Sequence, residues 1–159
     1  MKLSTTILAA TVLAAGSAMA EPVAPGDVQY DEYGAVAESL TGTPGDPENG
    51  AVIMKTKSMG NCISCHKVSA LNDAPFHGEI GPPLDGVGAR WGEAEIRGIV
   101  ANAKKTYPGT MMPAYFKVDG FTRPGDAYTG KAPDGPLDPL LTAQQIEDVV
   151  AFLVSLKEY

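Results

Sequence analysis

Cys62 and Cys65 are separated by Ile63 and Ser64, and His66 follows at once. Two thiols three positions apart on one helical turn can add to the two vinyl groups of a haem edge. The adjacent imidazole can then project under the iron as an axial ligand. Cys-x-x-Cys-His is the attachment pattern of c-type haem. Two other chemistries use such a cysteine pair. A thioredoxin-like redox motif follows a strand inside a βαβ pattern, whereas Gly60-Asn61 precedes this pair and no strand-rich pattern follows. A zinc site needs two further ligands, but no other Cys exists and His77 is the only other His.

A six-coordinate iron needs a second ligand on its far face. Met54 and Met59 lie too close before the cysteines to reach round, and His77 reads as a surface or loop histidine in a Pro/Gly-rich stretch. Met111 and Met112 sit in Tyr107-Pro108-Gly109-Thr110-Met111-Met112-Pro113. Such a loop is stiff enough to hold a thioether against iron, and Pro113 fixes the backbone directly after Met112. Met112 is the preferred ligand and Met111 the alternative; ordinary core filling is the other use of either. A His/Met pair favours Fe(II), raises the reduction potential and leaves no open coordination position, which points to electron transfer rather than oxygen activation.

The surrounding elements must position these groups. Asp46-Pro47-Glu48 is a helix start, with Asp46 as N-cap. The helix is expected to run from Pro47 to Ser58 and stop at Gly60, and Gly50 on it would let another helix cross closely. A second helix is expected from Gly92 to Lys105, with Ile96, Ile99, Val100 and Ala103 on one face. Thr142 and Gln145 form a capping box, and Ile146, Val149, Val150, Leu153 and Leu156 follow at helical spacing. Between the cysteine motif and the second helix, Gly81-Pro82-Pro83 offers a rigid turn. Its carbonyl could accept from Nδ1 of His66 and set the ring's orientation. Arg90 and Trp91 could reach haem propionates through charge and an N–H, or form a surface pair. No strand alternation appears, so the expected fold class is all-α with long Pro/Gly-rich loops, one of them from Phe116 to Pro139.

The whole chain is consistent with this. It has 159 residues, 44% hydrophobic and 19% charged, with 18 Gly and 13 Pro. This is the composition of one globular domain with abundant loops. A net charge of −7 leaves no basic patch for nucleic acid. Aromatics are only 7%, a thin supply for a core of this size, which leaves part of the interior to something else. Lys2, an apolar or small run and Ala18-Met19-Ala20 form a secretory signal peptide, residues 1–20. Export places the chain in an oxidising compartment. The apolar run is too short to span a membrane. An extended N-terminal segment, 21–45, and a cytochrome-like domain, 46–159, complete the expected organisation.

The ordered motifs resemble the small c-type cytochromes: Cys62 to His66, Gly81-Pro82-Pro83-Leu84, Gly109-Thr110-Met111-Met112-Pro113, and Leu141 to Leu156. Gly60-Asn61, Gly86-Val87-Gly88-Ala89-Arg90-Trp91 and the double Met are similar, within that group, to the SoxX family. These are monohaem subunits of bacterial SoxAX thiosulfate-oxidising complexes. Phe152 departs mildly from the Tyr often found there. The resemblance implies a small cytochrome c fold and one covalently bound haem c. It implies thioether bonds at Cys62 and Cys65, and His66 and Met112 as axial ligands. It implies a periplasmic location and a SoxA-like haem subunit as heterodimer partner, on which thiosulfate is joined to a cysteine of the SoxYZ carrier. A soluble cytochrome would then accept the electrons. The competing reading is a free-standing electron shuttle of a respiratory chain.

Overall fold

The computed structural model describes residues 21–126 and 128–158; the expected signal peptide lies outside the described residues. The architecture is all-α, with no strand among the described residues. Four α-helices occur there: α1 Pro47–Lys55, α2 Val87–Arg90, α3 Glu93–Asn102 and α4 Ala143–Ser155. Short 3-10 turns occupy Pro25–Asp27, Cys62–Ser64 and Ser69–Leu71.

Helix α1 starts as its residues dictate. Asp46 accepts from the Glu48 N–H at 2.9 Å, and Pro47 occupies the first turn. It ends at Lys55, not at Ser58. The Thr56 N–H is shared between the carbonyls of Val52 and Ile53, and its hydroxyl donates to Val52 at 2.7 Å. The last turn therefore tightens. Met59 and Asn61 then fold back onto the Thr56 carbonyl, steering the chain toward the cysteines.

Helix α3 is also shorter than expected. Glu95 accepts from the Gly92 N–H at 2.6 Å and caps the start. At the other end the Asn102 side chain accepts from Lys104 N–H at 3.2 Å, so the chain leaves the helix there. Helix α2, four residues to which the sequence pattern assigns no element, follows a left-handed turn at Gly86 with φ 68°. Helix α4 has the expected box: Gln145 N–H donates to Thr142 Oγ1 at 3.2 Å, and Thr142 N–H donates to Gln145 Oε1 at 2.9 Å.

These helices pack around one core. Ile53 and Met54 of α1, Ile96 and Val100 of α3, and Ile146, Val149, Val150 and Leu153 of α4 form a single buried cluster. Fully burying side chains of this kind contributes roughly 1.5–3 kcal/mol each. Helix α1 crosses α4 at Gly50, where a Cβ would run into the Asp148 carbonyl and press on Phe152. The close crossing expected from Gly50 is therefore present.

Residues 21–45 lie against this core, with Val28, Val36 and Leu40 buried in the cluster. Their backbone is held by charge inside the protein. Arg97 on α3 and Glu147 on α4 are 3% and 4% exposed. Arg97 Nε lies 2.9 Å from Glu147 Oε1, and Glu93 also pairs with Arg97. Arg97 Nη1 donates to the Val36 carbonyl at 3.0 Å, while Glu147 accepts from the Leu40 N–H at 2.7 Å. Burial opposes the Arg97 charge, but Glu147 and Glu93 outweigh it and hold the guanidinium above its ordinary range. Tyr30, half-buried in the same segment, lies under the Lys105 ammonium.

The stretch from Phe116 to Pro139 carries no helix or strand among its described residues. It is fastened at both ends: Phe116 N–H donates to Ala101, and Leu141 N–H donates to Tyr115, each at 3.0 Å.

Candidate functional site

The cysteine motif sits on a tight turn. Asn61 adopts a left-handed conformation, φ 47°, and the chain then winds through Cys62–Ser64. Cys65 and His66 N–H groups both return to the Cys62 carbonyl, at 3.1 and 3.0 Å. Neither cysteine is in a disulfide. The following loop is laid along this turn by three backbone bonds: Gly78 to Ile63, Gly81 to Cys65 and Leu84 to Lys67.

That alignment orients the histidine. Nδ1 of His66 lies 2.7 Å from the Pro82 carbonyl oxygen, the contact expected of the Gly-Pro turn. A carbonyl oxygen only accepts, so Nδ1 carries a proton, and in this tautomer of the neutral ring the lone pair lies on Nε2. Gly81 packs against the ring so closely that a Cβ there would overlap it. Arg90 braces the same loop, donating to the carbonyls of Asp85 at 2.7 Å and Pro83 at 3.1 Å. Asp85 in turn accepts from the Ser69 N–H and hydroxyl.

Cys62, Cys65 and His66 line a cavity of about 870 Å³. Protein interiors are otherwise packed to crystal-like density, and pockets for small ligands and cofactors run from ~300 to ~1,000 Å³. Apolar side chains from three helices form its deep wall: Met54, Ile96, Val100, Val149 and Leu153, together with Leu141. Pro82, Arg90 and Trp91 line it too, with Trp91 half-buried against the core.

The methionine loop reaches the same cavity. Met112 is half-buried against the core, while Met111 is 77% exposed; both line the space. The Met112 backbone is fixed on both sides. Its N–H donates to Thr110 Oγ1 at 3.2 Å, and its carbonyl accepts from Lys104 Nζ at 2.6 Å. Met54, too close before the cysteines to reach the far face, is fully buried in the cavity wall.

One residue of the site, Tyr115, belongs to none of the sequence motifs. Tyr115 is 8% exposed, lines the cavity and donates through its hydroxyl to the Gly60 carbonyl at 2.8 Å. Its position two residues after Pro113 was the available signal. His77, read as a surface or loop residue, is half-buried in its loop: its Nδ1 accepts from the Val68 N–H at 3.1 Å. Burial pushes the Cys62 thiol up to about 11, and the neighbouring Tyr115 side chain offsets this only in part.

An apolar cavity with two unpaired cysteines, an oriented imidazole and a thioether on its walls has the donor set of a c-type haem. Comparison with protein families agrees. Residues 47–157 match the model of the family described as "Cytochrome c". The chain belongs to the cytochrome c family. As a cytochrome c it binds a c-type haem and serves electron transport. A crystal structure of SoxXA from P. pantotrophus contains a similar chain, 63% identical, with a TM-score of 0.82. The match covers 86% of the present chain and 99% of that one. No curated protein matches the chain. Among the described residues, no helix is long and apolar enough to cross a membrane.

Proposed function

We propose that this cytochrome c is the electron-accepting, monohaem subunit of a periplasmic SoxAX complex. In it, thiosulfate is oxidatively coupled to a SoxYZ cysteine on a SoxA-like haem partner, and electrons leave to a soluble cytochrome. The observation that carries the reading is the 63% identity running over 99% of a chain from a SoxXA structure. Because that chain comes from a SoxXA structure, the reading of a free-standing respiratory shuttle is not favoured.

Within this reading Cys62 and Cys65 would hold haem c covalently, and His66 and Met112 would ligate its iron. When bound, the haem supplies a one-electron Fe(III)/Fe(II) couple. The protein's part is positioning. The Pro82 carbonyl keeps the Nδ1 proton on His66, which fixes the tautomer and strengthens Nε2 as a donor. The Thr110 and Lys104 contacts fix the Met112 backbone. The apolar wall keeps water from the centre, which favours the less charged ferrous state. Arg90 and Trp91 are the proposed neighbours of the propionates. No free cysteine remains once both thiols are used, so the sulfur chemistry belongs to the partner.

The test is purification from native extract. Co-elution with a larger haem protein, and colour that stays with the polypeptide through acid-acetone, are expected. A chain that runs alone, or a haem that washes away, overturns the reading.

A further inference from the structure

We propose that Tyr115 is a positioning residue that ties the two sides of the haem site together, setting the Cys62 turn against the Met112 segment. The inference rests on the ligand assignment above and goes beyond it.

Tyr115 lies three residues after Met112, and its backbone is immobilised. Its carbonyl accepts from Leu141, and its neighbour Phe116 donates to Ala101. Its hydroxyl therefore projects from a fixed base. It reaches the Gly60 carbonyl, 55 residues away in sequence, at 2.8 Å. Gly60 is buried and tightly hemmed: a Cβ there would stand 3.1 Å from the Ile53 carbonyl and 3.2 Å from Cys62 Sγ. Asn61 follows in a left-handed conformation, φ 47°, so the direction of the Cys62 side chain depends on a turn that must be held from outside. Without the hydroxyl, the buried Gly60 carbonyl loses its donor. One hydrogen bond thus spans from the methionine-bearing segment to the cysteine-bearing turn, along the cavity wall.

Removing one such bond raises the equilibrium for local opening by about 5- to 10-fold. The variant is Tyr115→Phe in the haem-loaded protein, compared with Thr41→Val. Thr41 is also a buried hydroxyl, bonded to Gln144, and it does not line the cavity. Tyr115→Phe is expected to keep covalent haem. It should lose the red-end thioether-to-iron absorption at a lower temperature than the wild type, ahead of global unfolding. The carbon-monoxide-binding fraction of the reduced protein should rise by that same factor. Thr41→Val should change neither quantity. Equal behaviour of Tyr115→Phe and wild type, or of both variants, overturns the proposal.

If Tyr115→Phe does not retain haem, hydrogen exchange in the wild-type protein decides. The amides of 61–65 and of 114–116 must open together with one protection factor; independent opening overturns the proposal. A wild-type protein without the red-end absorption overturns the Met112 assignment instead, and the exchange result still decides on Tyr115.

Discussion

His66 and Pro82 are joined by a 2.7 Å hydrogen bond from imidazole Nδ1 to a backbone carbonyl. Gly81, which leads into that carbonyl, leaves no room for a methyl group beside the ring. Gly81→Ala must therefore displace either the imidazole or the loop. The expected result is a stability loss of about 1–3 kcal/mol, as for overpacked cores, with an altered ferric low-spin spectrum. An unchanged spectrum would mean that the ring's position is set elsewhere.

Met111 and Met112 are neighbours in the chain but not in environment: one is mostly exposed and the other packs on the core. Met112→Ala should abolish the red-end absorption, admit carbon monoxide and lower the potential, within the ~0.8 V span that axial ligands command. Met111→Ala should change little. Absorption that survives Met112→Ala would transfer the ligand to Met111.

The Arg97–Glu147 pair is buried and hydrogen-bonded to the N-terminal segment. Arg97→Met strands the buried Glu147 carboxylate and should cost about 3–5 kcal/mol; Glu147→Leu leaves Arg97 only the exposed Glu93 and should cost less. The double variant should recover much of that loss. Urea denaturation measures the energies. Limited proteolysis within residues 28–40 should quicken in the single variants.

Burial pushes the Tyr30 hydroxyl up from 10 to about 12. The folded protein therefore holds this proton after the unfolded chain has released it. The stabilisation is complete below about pH 10 and is lost as pH rises toward about 12. Tyr30→Phe should flatten that part of the pH–stability curve, measured as the denaturation midpoint at pH ~9 and ~11.

The local features of the site were legible in the sequence because their chemistry is local. The cysteine–histidine spacing, the Thr142–Gln145 box and the affinity of a Gly-Pro carbonyl for His66 each lie within a few residues or follow from one rigid turn. Gly50 also announced its crossing, since a missing side chain in a helix implies a close neighbour. What could not be read depends on distant partners. Arg97 and Glu147 look like ordinary helix charges until a backbone strap is laid over them. Tyr115 looks like a core aromatic until Gly60 is brought to its hydroxyl. The true end of α1 was hidden because Thr56 competes for helix carbonyls through its own side chain, which propensity alone does not rank.

The strap across α3 and α4 has a consequence for how the molecule is made. Leu40 meets Glu147 across 107 residues of sequence. A ribosome releases the strap early and its seat near the finish. Until the closing helix arrives, Arg97 has no interior counter-ion and the Leu40 N–H no acceptor. Such long-range closure is slow, so assembly of this domain should end, rather than begin, at its amino terminus.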